Sequence, residues 1–148
     1  MAYFTYDTSV LVSRKQTELL AMPSSFLMSA IVLMELSSSA PDLSRRNLYE
    51  TLFRSFQKEQ RLIVPDVEDW LLTSKILFLL TNSRRRLEHG RLKRLPPEAS
   101  QRMALDVLIA VSARRLKAAV VTENWADFKA IQRYCNVTVI KASKFFKK

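Results

Sequence analysis

Short runs of β-branched and aromatic residues alternate with longer stretches of helical periodicity along this chain, and no other feature restricts its fold as strongly. Tyr3 to Tyr6 reads as a strand that stops at Asp7, after which Thr8 or Ser9 is placed to cap a helix through Val10 and Leu11. Phe26 to Met28 reads as a second short strand, and Ser29 stands as N-cap to a helix over Ala30 to Ser38. Pro41 opens a longer amphipathic helix, roughly Leu43 to Lys58, with Leu48, Leu52, Phe53 and Phe56 at helical spacing. Arg61 to Val64 is a short strand or extended connector before Pro65. Val67 to Thr81 is helical, with a stripe of Trp70, Leu71, Ser74, Leu77 and Phe78 whose aromatics are expected to pack into the core. A helix from Ser100 to about Lys117, a buried strand Ala118 to Thr122, a helix from about Trp125 to Tyr134 and a strand Val137 to Ile140 complete the series. Such alternation specifies an α/β fold with a mostly parallel central sheet.

At 148 residues with 48% hydrophobic content, the chain is the size of one domain, expected to span 1–148, and has enough apolar side chains for a core. It contains one glycine, Gly90. Loops that cradle phosphates need several, so a P-loop or a GxGxxG dinucleotide site is excluded. Cys135 is the single cysteine, which leaves no intrachain disulfide and no thiolate zinc site; it reads as a small buried hydrophobe in a reducing compartment. No basic flank precedes an apolar stretch at the start, and no apolar run reaches the ~18 residues of a membrane span, so the expectation is a cytoplasmic protein with no membrane partner. The balance of 24 Lys and Arg against 14 Asp and Glu, net +10, favours a polyanion, nucleic acid before membrane.

Three acids interrupt runs that are otherwise apolar: Asp7 after the first strand, Glu35 in Ile31 to Leu36, and Asp106 in Met103 to Ala110. Burying one unpaired carboxylate costs several kcal/mol or drives its pKa up until it neutralises, so three such acids far apart in sequence point to one shared partner, a divalent metal ion. In a parallel α/β sheet the binding crevice lies outside the carboxyl ends of the strands, and Asp7 is placed there. The strand ending at Thr122 brings Asn124 and Asp127 to the same edge if the two strands are neighbours. Asp106 shares a helix face with Met103, Ile109, Ala110 and Ala113. Carboxylate and amide oxygens select Mg²⁺ or Mn²⁺ over zinc, and with a basic surface they suit phosphodiester hydrolysis.

Four segments, Asp7-Thr-Ser-Val-Leu, Ser29-Ala-Ile-Val-Leu-Met-Glu-Leu, Asp106-Val-Leu-Ile-Ala-Val-Ser-Ala and Val121-Thr-Glu-Asn-Trp-Ala-Asp-Phe, resemble in order and spacing the PIN-domain ribonucleases, particularly VapC-type toxins. The ending Val137-Thr-Val-Ile-Lys-Ala-Ser-Lys-Phe-Phe resembles that family's closing strand and tail. The resemblance implies a three-layer α/β/α PIN-like fold, Mg²⁺- or Mn²⁺-dependent endoribonuclease activity, an RNA substrate, a homodimer, and neutralisation by a cognate antitoxin. It also implies that Asp7, Glu35 and Asp106 correspond to the metal-binding acids.

The fourth acidic position stays open. Many relatives carry Asp where this chain has Asn124, with Asp127 three residues later; either Asn124 ligates through its amide oxygen or Asp127 ligates itself. Asn at N-cap with an acid at N3 also resembles a capping box, which needs no metal. Thr8, Ser9 and Thr122 are candidates to hydrogen-bond the acids, or caps. The cluster Arg84, Arg85, Arg86, Arg91, Lys93 and Arg94 is expected in a hinge or exposed basic loop, either contacting RNA phosphates or forming a solvated face. His89 among these arginines reads as a solvated loop residue, against a histidine-dependent mechanism. The competing function is a catalytically inactive PIN-like module that binds RNA or serves assembly.

Overall fold

The computed structural model describes residues 2–12, 16–84, 87–88, 91–92 and 96–147. The elements run β1 (Tyr3–Tyr6), α1 (Thr8–Val12), a 3-10 helix (Gln16–Ala21), β2 (Met28–Ser29), α2 (Ala30–Ser38), α3 (Leu43–Lys58) and β3 (Leu62–Ile63). They continue as α4 (Val67–Arg84), β4 (Leu87–Glu88), β5 (Arg91–Leu92), α5 (Pro97–Arg115), β6 (Ala118–Thr122), α6 (Trp125–Gln132), β7 (Val139–Lys141) and α7 (Ala142–Phe145).

β6 lies between β1 and β7 and is parallel to both, with Tyr6 opposite Val121 and Thr122 opposite Lys141. β2 pairs in parallel with β3, and a parallel bridge from Phe4 to Phe26 joins that pair to β1. The spatial order is therefore β3-β2-β1-β6-β7. Ala118, Val120, Val121 and Thr122 of β6 are all buried, which explains its near-continuous apolar run. Helices cover the sheet on both faces, giving the expected three-layer α/β/α architecture.

The alternation of β1 sorts its side chains between the layers. Phe4 and Tyr6 join an aromatic cluster with Phe26, Phe145 and Phe146, at ring separations of 5.0 to 6.0 Å. Thr5 is buried on the opposite side, and Asp7 follows it at the strand's end, its N–H donating to Val121 O (3.1 Å). α5 is enclosed all round from Val107 to Ala113, packing against α2, α4, α6 and β6. Asp106 is the residue immediately before that enclosed stretch.

With glycine this scarce, helix ends use other residues in the left-handed region. Gln60 (φ 58°) and Lys117 (φ 57°) follow α3 and α5. Gln60 N–H donates to Gln57 O (3.1 Å) and Arg61 N–H to Phe56 O (2.8 Å), the two bonds of a Schellman motif. Arg61 then donates to the carbonyls of Met22, Pro23 and Phe26, which fastens the segment leading into β2.

Two expectations are corrected. Most of the α4 stripe faces outward: Trp70, Leu71 and Phe78 are 58%, 60% and 66% exposed, Leu77 alone of its apolar members packs partly buried against the core, and the helix instead buries Asp69, Thr73, Ile76 and Leu80. The expected basic loop contains an antiparallel strand pair, with Leu87 opposite Leu92 and Glu88 opposite Arg91. Arg84 ends α4 and Arg91 begins β5, whereas Arg85, Arg86, His89, Lys93 and Arg94 lie outside the described residues. Among the described residues, no helix is long and apolar enough to cross a membrane.

Candidate active site

The parallel register sets Asp7 beside the end of β6, and hydroxyls fix its carboxylate there. Ser9 Oγ donates to Asp7 Oδ1 (2.6 Å) and Thr122 Oγ1 donates to Asp7 Oδ2 (2.8 Å). Each hydroxyl also accepts from the turn after β6: Glu123 N–H reaches Ser9 Oγ (3.1 Å) and Asn124 N–H reaches Thr122 Oγ1 (2.8 Å). A hydroxyl has one proton and two lone pairs, so accepting from the backbone leaves its proton directed at the carboxylate. Thr8 Oγ1 donates to Glu35 Oε1 (2.8 Å), tying α2 to the start of α1. Thr8, Ser9 and Thr122 thus each hold an acid.

Mutual repulsion marks the remaining acids as neighbours of Asp7. Burial raises the Asp7 pKa above the ordinary value despite its hydroxyl donors, with Glu123 adding repulsion. Glu35 is raised first by burial and then by the charge of Asp7, against the lowering effect of Thr8. Asp106 is pushed up to about 7 by burial and by the charges of Asp7, Glu35 and Asp127, with Arg102 opposing. Carboxylates that raise one another in this way lie within each other's fields, and among the described residues Arg102 alone is a cation that offsets them, at Asp106.

Beside them is a cleft of about 190 Å³, lined by Asp106, Asp127, Arg102, Met103, Ala99, Leu80 and Ile131. Asp127 is exposed on α6 and lines this cleft. Asn124 is exposed at the N-cap of α6 with no side-chain cap hydrogen bond, so the capping-box arrangement is not made. Arg102 is the lining residue that the sequence reading missed. Its signal was its spacing, four residues before Asp106 on one helix face. Cys135 is buried, and burial raises its thiol pKa, as suits a structural residue.

The sequence profile of the PIN domain matches residues 5–134. This chain belongs to the PIN-domain family. PIN domains are nucleases, hydrolases of phosphodiester bonds, and are generally dependent on divalent metal. No curated protein sequence matches this PIN domain. Among solved structures it resembles DNA-bound VapBC from Salmonella typhimurium at 19% identity, covering 96% of this chain and 99% of that one, with a TM-score of 0.60. It also resembles FitAcB from Neisseria gonorrhoeae (20% identity, 93% and 96% covered, TM-score 0.57) and VapBC2 from Rickettsia felis bound to a promoter DNA fragment (21%, 95% and 98%, 0.56). These likenesses establish the shared fold.

The donor set of this PIN domain suits a hard divalent cation, because the acids offer only oxygen and their mutual repulsion is what such a charge relieves. Among the described residues no three acids stand together closely enough to hold a metal ion as they are, so the acids share a field in an open arrangement and do not form a metal cage. Mg²⁺ keeps several waters beside one or two carboxylates, which an open cluster accommodates.

Proposed function

We propose that this PIN domain, taken as one unit over 1–148, is a metal-dependent endoribonuclease that hydrolyses RNA phosphodiester bonds, the toxin of a VapC-type toxin–antitoxin pair. The observation that carries the reading is Asp7, 1% exposed, held by two hydroxyls and set among acids that repel it. Asp7, Glu35 and Asp106 would hold Mg²⁺ or Mn²⁺. Asp127 completes the site from the cleft, and Asn124 is the alternative through its amide oxygen. When bound, the metal supplies charge neutralisation at the phosphoryl group and a readier hydroxide near neutral pH. Ser9 and Thr122 orient Asp7, Thr8 orients Glu35, and the cluster of Arg84, Arg85, Arg86, Arg91, Lys93 and Arg94 contributes to holding the polyanion. The likeness to VapBC and FitAcB complexes supports an antitoxin partner; a homodimer and a cytoplasmic location belong to the same reading.

The test is cleavage of RNA with Mg²⁺ or Mn²⁺, with EDTA, and with Asp7→Asn. Cleavage is expected with either metal and none with EDTA, and Asp7→Asn should lose activity by roughly 100-fold or more while staying folded. Equal activity in all samples would point to a contaminant and sink the proposal. The exposed Asn124 favours a second reading, a PIN-like module that binds RNA without cutting it or serves assembly. Steeply salt-dependent RNA binding with no cleavage at any metal concentration would select it.

A further inference from the structure

Arg102 is exposed on α5 and lines the same cleft as Asp106 and Asp127. It is the one cation among the described lining residues. Its i, i+4 spacing places it on the face of Asp106, one turn nearer the start of the helix. Among the described residues it forms no ion pair or hydrogen bond, in contrast to Arg61 and Arg115, whose guanidinium groups are taken up by carboxylates and carbonyls. Leu80, Met103 and Ile131 make an apolar wall beside the two aspartates, and Arg102, whose charge is felt by Asp106, brings five N–H donors to the cleft.

We propose that Arg102 is a positioning residue that clamps a backbone phosphate of single-stranded RNA, the one next to the phosphodiester being cut. A guanidinium lining a cleft with two aspartates has a specific use: it attracts an anion to a place where carboxylates repel anions, and its planar fork matches phosphate oxygens in a bidentate manner. The contact reads no base, so it fixes the register of the strand rather than its sequence. The apolar wall offers the adjoining nucleotide a surface without competing hydrogen bonds. This proposal rests on the nuclease reading and deepens it.

The test uses the full chain, its Arg102→Ala and Arg102→Lys variants, and a fluorescein-labelled oligouridylate as probe. Binding is measured against salt in EDTA, and cleavage with Mn²⁺ is resolved into KM and kcat. For Arg102→Ala, the slope of log K against log salt should become shallower by about 0.7, the loss of one phosphate contact on a single strand. KM should rise about tenfold with kcat much less affected, and Arg102→Lys should recover the slope but part of the KM, having charge without the fork. An unchanged slope and KM, or a loss confined to kcat, overturns the clamp while leaving the nuclease reading intact. If the parent chain binds the probe but never cuts it, the nuclease reading falls and with it the placement of the phosphate beside a scissile bond, even where Arg102→Ala still flattens the slope and keeps the phosphate contact itself. A parent chain that does not bind the probe overturns both.

Discussion

Two aspartates of this chain are almost fully enclosed, Asp7 at 1% and Asp69 at 2% exposure, and they are held in opposite ways. Asp69 accepts from Arg115 Nε at 2.8 Å and from the Asp66 N–H at 3.0 Å, while Arg115 also donates to Val64 O. Its charge is matched inside the protein, and the match ties α4 to the end of α5. Asp7 receives two neutral hydroxyls, no cation among the described residues, and the repulsion of neighbouring acids. A carboxylate with its own cation is finished as structure. One that is oriented yet left uncompensated is prepared for a positive ligand from outside.

The largest expected effect separates the two by stability. Arg115→Ala strands the Asp69 charge and should cost about 3 kcal/mol, measured by urea denaturation, the low end for a broken buried pair because Arg115 is partly exposed. Asp7→Asn removes a desolvated charge that nothing balances and should leave stability within about 1 kcal/mol of the parent, or raise it. If the costs came out reversed, the contrast would be wrong.

Next in size is the response to metal. Mg²⁺ or Mn²⁺ at about 100 times its Kd should add about 2.7 kcal/mol and raise Tm accordingly. The shift should vanish in Asp7→Asn and Asp106→Asn and persist in Arg115→Ala. No shift at millimolar metal would argue that the open cluster is not a cation site.

The smallest effect is on pH dependence. Because Asp106 has a folded-state pKa of about 7, above its ordinary 3.8, the folded state binds more protons than the unfolded state between those values. Stability of the metal-free protein should therefore fall as pH rises from about 4 through 7, by on the order of 2 kcal/mol after allowance for partial exposure. Asp106→Asn should flatten that limb in pH-dependent melting curves, whereas a slope equal to the parent's would remove Asp106 as its source.

Much of the fold was legible because local chemistry and tertiary packing agree there. The strand ending before Asp7, the α2 helix over Ala30 to Ser38 and the α3 helix over Leu43 to Lys58 each carry their stop and start signals nearby. Ser29 occupies the expected N-cap position, yet its side chain makes no cap bond and its buried hydroxyl has no partner among the described residues. α4 misled because it carries apolar residues on two faces. Trp70, Leu71 and Phe78 looked like the core stripe, but the inward face includes Asp69 and Thr73. An aspartate can face inward there because Arg115, 46 residues later, completes it. Nothing local to α4 announces that partner.

The sequence by itself determined the order of the main strands and helices on either side of the 84–94 segment, the three acids lodged in apolar runs, and the hydroxyls beside Asp7, since these depend on periodicity and on neighbours within a few residues. Only the tertiary structure decided that Thr122, 115 residues from Asp7, donates to it, that the fields of Asp7, Glu35, Asp106 and Asp127 overlap, and that Arg102 lines one cleft with Asp106 and Asp127. The reason is physical: hydrogen bonds and carboxylate repulsion act over a few ångströms of space, and strand register and helix packing set those separations.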